Sequence, residues 1–138
     1  MKTVILRTII VLIALALVIL SLTITYFFNI DIETKEPTQI EEECKIDTYE
    51  FNGRKIFTVK NEKSVENKKY ILYFHGGSYV AEATQNHWTF LENIVKDTGY
   101  EVIMPDYPLT PKYNYKDVYN MVEPLYKEIV EKVGKDNL

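Results

Sequence analysis

Between Thr8 and Ile30 the chain carries no charged residue, and Ile9 to Leu20 is an unbroken run of Ile, Val, Leu and Ala. Such a stretch has few structural options. A helix of about 20 apolar residues crosses a hydrocarbon core of ~30 Å. Backbone groups in lipid must be satisfied within the segment, so a single span is helical. Tyr26, Phe27 and Phe28 fall where an aromatic belt sits at the lipid–water boundary. Residues 1–30 are therefore expected to be a membrane anchor that meets the lipid bilayer through residues 8–30. The competing reading is a cleaved signal peptide, whose apolar region is shorter (~7–15 residues) and ends at a small-residue site. Tyr26-Phe27-Phe28-Asn29 offers no such site. Lys2 and Arg7 precede the span, and Asp31 and Glu33 follow it. The positive-inside bias then leaves the N-terminus cytoplasmic and the remainder extracytoplasmic.

The 138 residues hold 16 basic and 20 acidic side chains, a net charge of −4 that becomes −6 once Lys2 and Arg7 are set aside. That balance, with no basic stripe interleaved with aromatics, argues against nucleic acid as a partner. Nor would charge hold the soluble part to anionic lipid. Residues 31–47 read as an acidic linker, with Pro37, Glu41-Glu42-Glu43 and no apolar period. The lone Cys44 lies in it and is expected to be an exposed, unpaired thiol. Residues 48–138 leave room for one small domain.

That domain reads as α/β. Thr48–Phe51 and Arg54–Val59 flank Asn52-Gly53, whose two residues suit the positive φ values of a tight hairpin turn. Lys60 to Lys69 is polar and reads as a loop. Tyr70-Ile71-Leu72-Tyr73-Phe74 is continuously apolar, the pattern of a strand covered on both faces in a parallel sheet. Trp88, Leu91, Ile94 and Val95 recur at helical spacing before Gly99. Tyr100 to Met104 is a second apolar run. Asp117 is expected to cap a last helix with Val118, Met121, Val122, Leu125, Ile129 and Val133 on its apolar side, kinked at Pro124. A hairpin followed by strand, helix, strand, helix is the order of an α/β layered fold.

His75-Gly76-Gly77-Ser78-Tyr79 follows the first apolar strand directly. Glycines there let the backbone turn sharply with its N–H groups exposed, able to hold an anion or a developing oxyanion. The Lys-Ser/Thr of a phosphate loop is missing. Ser78 and His75 stand at i and i+3 on a turn with no acid evidently placed to orient the imidazole, so they are not expected to form a catalytic pair. His87, beside Trp88, reads as a surface or half-buried residue. The histidines and Cys44 lack ligand spacing, and no metal or cofactor is implied.

This loop, together with Pro105-Asp106-Tyr107-Pro108-Leu109-Thr110-Pro111 one helix and one strand later, resembles the hormone-sensitive-lipase-like branch of the α/β-hydrolases. The likeness covers about Thr48 to Leu138, and Asp117-Val118-Tyr119 fits the start of the following helix. It implies that Gly77 and Ser78 supply oxyanion-hole donors with Gly76 giving room. It implies that His75 braces the loop rather than acting as base, and that Asp106 and Tyr107 anchor the neighbouring loop. Pro108 and Lys112 stand where the family has Arg and Glu, so the ion pair of those two positions is absent. The family nucleophile sits in Gly-x-Ser-x-Gly. Ser21, Ser64 and Ser78 are the only serines, and none has that setting, so no catalytic nucleophile, acid or base is assigned. In the family fold Tyr70–Phe74 lies between the strand of Val102 and the nucleophile strand, so it is expected to form an open edge here. The leading expectation is the N-terminal fragment of a membrane-anchored serine carboxylic-ester hydrolase, its small ester substrate bound only in a complete homologue. A non-catalytic membrane-tethered interaction module and a membrane protein of unrelated role are the alternatives.

Overall fold

The computed structural model describes residues 2–40 and 42–138; Met1 and Glu41, parts of the anchor and acidic run above, lie outside them. Helix α1 (Lys2–Phe28) runs 27 residues, and its stretch Ile5–Phe28 is exposed throughout. Those 24 residues make a rod of about 36 Å, long and apolar enough to cross a membrane. Thr23 turns its hydroxyl back to the Leu20 carbonyl, so this polar side chain needs no outside partner.

The remaining elements build a four-stranded sheet between two helices. Strands β1 (Lys45–Phe51) and β2 (Arg54–Lys60) form the hairpin, with left-handed Asn52 and Gly53 at its turn. After the short helix α2 (Glu62–Asn67) come β3 (Tyr70–Leu72), α3 (Gln85–Thr98), β4 (Glu101–Pro105) and α4 (Tyr115–Val133). The strand order is β1-β2-β4-β3, with β3 parallel to β4 and the other pairs antiparallel. Alternation along the strands sorts the core into two layers. Phe57, Val59, Val102 and Met104 meet Trp88, Leu91 and Val95 of α3. Ile56 and Ile103 face Met121, Leu125 and Ile129 of α4. Phe57 and Trp88 pack edge to face with centroids 5.2 Å apart.

Several sequence expectations need correction. The polar stretch 60–69 contains α2, a single capped turn too short to show a period. Asn61 and Ser64 cap it reciprocally, and Asn67 ties it to the Thr98 and Gly99 carbonyls. The cap of α4 is Asn114 rather than Asp117, which serves as the third residue of the capping box by accepting from the Asn114 N–H at 2.8 Å. The course of α4 through Pro124 to Val133 is as expected, with Pro124 exposed. β3 is only half-buried because it lies at the sheet edge. Cys44 is buried against Phe57, Val59 and Trp88, because it enters the sheet one residue ahead of β1. Finally, 31–47 is no free spacer: Thr34 is fully buried and Ile32 packs on the α4 layer.

Candidate functional site

The parallel pair β3–β4 ends in two loops that lean on each other. The first, His75–Tyr79, leaves β3 after Tyr73 N–H closes one more bond to the Ile103 carbonyl at 2.8 Å. Its backbone then turns hard, with φ of +138° at Gly77, +55° at Ser78 and +61° at Tyr79. The Gly77 carbonyl accepts from both Val80 and Ala81, at 3.0 and 3.1 Å. A Cβ at Gly77 would stand 2.6 Å from the Ala81 carbonyl oxygen, so glycine is required there on two counts. At Gly76 a Cβ would meet nothing closer than His87 Nε2 at 3.9 Å, so Gly76 supplies room rather than a needed conformation.

The second loop, Asp106–Thr110, pins the first at both ends. Tyr107 donates its hydroxyl to the His75 carbonyl at 2.6 Å and stacks its ring on the imidazole, centroids 4.6 Å apart. Thr110 donates its N–H and its hydroxyl to the Tyr79 carbonyl, at 2.8 and 2.9 Å. These bonds hold two non-glycine residues in the left-handed region, a conformation that costs about 1–3 kcal/mol each unless the surroundings fix it. Meanwhile the N–H groups of Gly76, Gly77 and Ser78 have no acceptor among the described residues. The three residues line a cleft of about 340 Å³ with Phe74, Tyr79 and Tyr119. Three consecutive unspent amides at a cleft can chemically do one thing well, which is to bind negative charge.

His75 itself is buried and braces the loop. Its Nδ1 lies 2.8 Å from the Gly76 carbonyl, which only accepts, so Nδ1 carries the proton. Burial lowers its pKa, partly offset by that carbonyl. Ser78 is exposed and makes no contact with His75, so the two are not brought together as nucleophile and base. His87 is half-buried and accepts the Thr84 N–H at 2.9 Å, capping α3.

Asp106 is buried beneath both loops. Its carboxylate takes the Arg54 guanidinium at 3.0 Å and the Thr34 N–H at 2.8 Å. Burial pushes its pKa up, while the Thr34 amide and Arg54 oppose the shift. Arg54, itself buried, also donates to the Asp106 and Tyr107 carbonyls and to Asp31 Oδ1 at 2.9 Å. Asp31 Oδ2 receives Lys112 Nζ and the Tyr113 hydroxyl, at 2.9 and 2.7 Å. Lys112, where the family has Glu, thus keeps an ion pair with a different partner. Arg54, Asp31 and Thr34 are the support residues that sequence reasoning missed. A cation directly after the Asn52-Gly53 turn, at the head of a strand, was the one available signal for Arg54; the other two lay in a stretch without pattern.

A family model described as alpha/beta hydrolase fold matches residues 71–138. An ethyl acetate hydrolase from Pseudomonas putida is 31% identical over 61 residues, which is 44% of this chain and 19% of that protein. A candidate esterase from Staphylococcus aureus superposes with a TM-score of 0.69 at 28% identity, over 75% of this chain and 34% of that one. A hormone-sensitive lipase from a metagenome library does so with a TM-score of 0.61 at 19% identity, over 70% and 32% of the two chains. The chain therefore spans about a fifth of the curated relative and about a third of the solved structures. With its two interlocked loops after parallel strands and these likenesses, the chain carries part of an α/β-hydrolase fold and is similar to esterases that share it.

Proposed function

We propose that this chain provides the oxyanion-binding corner of a carboxylic-ester hydrolase that α1 holds at a membrane. Lys2 and Arg7 before the span favour a cytoplasmic N-terminus with residues 31–138 on the opposite side. The observation that carries the reading is the row of unpaired amides at Gly76, Gly77 and Ser78 along the cleft. As an ester carbonyl is attacked, negative charge grows on its oxygen; the Gly77 and Ser78 N–H groups would stabilise it, each such donor being worth roughly 3–4 kcal/mol in related chemistry. His75, Asp106 and Tyr107 hold the corner rigid. None of the three serines stands in Gly-x-Ser-x-Gly, so in this reading the nucleophile, acid and base are supplied from outside these residues. The substrate is a small carboxylic ester bound only in the completed site.

The test has two arms. A fluorophosphonate probe should leave the purified full chain in detergent unlabelled; labelling of Ser78 would overturn the assignment of roles. Co-expression with the nucleophile-bearing remainder of the Staphylococcus aureus relative should yield hydrolysis of a p-nitrophenyl ester that Gly77→Ala abolishes. A complex that forms and hydrolyses equally well with Gly77→Ala sinks the oxyanion role. The outer edge of β3, which pairs only through β4, favours a second reading, a tethered module that binds another chain by strand addition. Complex formation without any hydrolysis would support it.

A further inference from the structure

The residues that leave the membrane helix reach beneath the oxyanion loop within six positions. Asp31 is fixed by Arg54, Lys112 and Tyr113 at 2.7–2.9 Å. Thr34, fully buried, gives its N–H to Asp106 Oδ1 at 2.8 Å. Its hydroxyl oxygen lies 3.5 Å from His75 Nε2 and 3.4 Å from the Ala83 N–H. Nδ1 of His75 is already the protonated nitrogen because it faces the Gly76 carbonyl, so Nε2 is an acceptor. The Thr34 hydroxyl is its donor and receives the Ala83 N–H in turn. One threonine thus touches the residue before the three unpaired amides, the carboxylate under the neighbouring loop, and the chain just past the left-handed turn.

We infer that Asp31–Thr34 is the positioning element of the oxyanion corner, with Thr34 holding the orientation of His75 and Asp31 locking the segment down. The inference rests on the proposed reading of the corner as an oxyanion site. It adds that the corner is assembled by the membrane-proximal segment and not by the hydrolase domain alone. Thr34 touches no reacting atom; it acts through His75 and Asp106. The titratable groups that face His75 are His87, whose ring centroid is 5.8 Å away, Asp106, Glu82 and Tyr107.

The experiment uses the full chain in lipid nanodiscs with ¹⁵N-labelled histidine. In the wild type, His75 should report protonated Nδ1 and unprotonated Nε2 near pH 7. Thr34→Val keeps the shape and removes the hydroxyl. It should shift the ¹⁵N resonance of His75 Nε2, which loses its donor, and speed amide exchange at Gly76–Tyr79 about tenfold, equivalent to ~1.4 kcal/mol. Thr34→Ser should restore both readouts, and Asp31→Asn should speed exchange at Thr34 and in the loop together. Amides of β2 and β4 report whether each variant keeps its fold. An unchanged His75 Nε2 resonance and unchanged loop exchange in Thr34→Val overturns the inference; so does a Thr34→Ser variant that behaves as the valine one, whether through loop loosening or global unfolding. A methylphosphonate monoester, an anion shaped like the tetrahedral intermediate, separates this from the parent reading. If it fails to shift the Gly77 and Ser78 amides while Thr34→Val still alters His75, the oxyanion role falls and the positioning role stands. The reverse pattern removes only the positioning role.

Discussion

The two halves of the sheet solve different problems. The hairpin half closes on itself: β1 and β2 pair over seven residues each, and the Lys60–Asp47 ion pair at 2.6 Å ties their far ends together. The parallel half is short and unfinished. β3 pairs over three residues, and the loop beyond it turns through three positive φ values with its amides unspent. That loop is ordered from a distance, by Tyr107 and Thr110 on one side and Thr34 on the other. Local instructions shape the first half, and long-range fastening shapes the second, where a binding corner needs groups left over.

The sharpest way to break this contrast is at Arg54, which begins the hairpin strand but serves the parallel half. Arg54→Met leaves the Asp106 carboxylate buried and unpaired, and should destabilise the domain by about 3–5 kcal/mol. Urea unfolding followed by Trp88, the single tryptophan, would measure it. A loss under 1 kcal/mol would show that Asp106 does not depend on the hairpin. Next comes Gly77→Ala, where clash and strained φ add to about 2–4 kcal/mol, felt first as faster exchange at Val80 and Ala81. Tyr107→Phe strands the His75 carbonyl and should cost about 1–3 kcal/mol without moving the hairpin amides. Gly53→Ala makes the matching test in the other half. Its φ is +76° but nothing lies within 4 Å, so only the conformational cost of about 1–2 kcal/mol is expected.

The smallest effect is that of pH. Burial works against the Asp31 carboxylate, but bonds from Lys112, Tyr113 and Arg54 outweigh it and hold its pKa below the ordinary value. A depressed carboxyl contributes stability that is complete above the unfolded pKa, about 4, and disappears as pH falls through the lower folded value. Thr34 amide exchange in the wild type should therefore converge on that of Asp31→Asn only below about pH 4. Convergence already at pH 6 would mean that the carboxylate does not hold the segment.

What was legible in the sequence follows the same division. The Asn52-Gly53 hairpin, both long helices and the His75–Ser78 corner could be read because each is encoded by neighbours: turn residues, a helical period, glycines after an apolar strand. Asp117 misled in detail, since a capping box splits its role over two residues. The fastening just after α1 could not be read. Thr34 is an ordinary polar residue in an acidic, patternless stretch, and its value comes from Asp106, 72 positions away. Cys44 was misjudged for a like reason, its burial being set by Phe57 and Trp88 rather than by the glutamates before it.

The depth of Thr34 has a mechanical corollary. Phe28 and Asp31 are three positions apart, a reach of no more than about 10 Å of chain. A domain joined to an apolar rod by so brief a hinge, and gripped immediately after it, is bracketed rather than leashed. With α1 set across a bilayer as proposed, the domain's tumbling relative to the lipid plane would be curtailed, and the cleft would keep a fixed altitude and heading instead of sampling the surrounding volume.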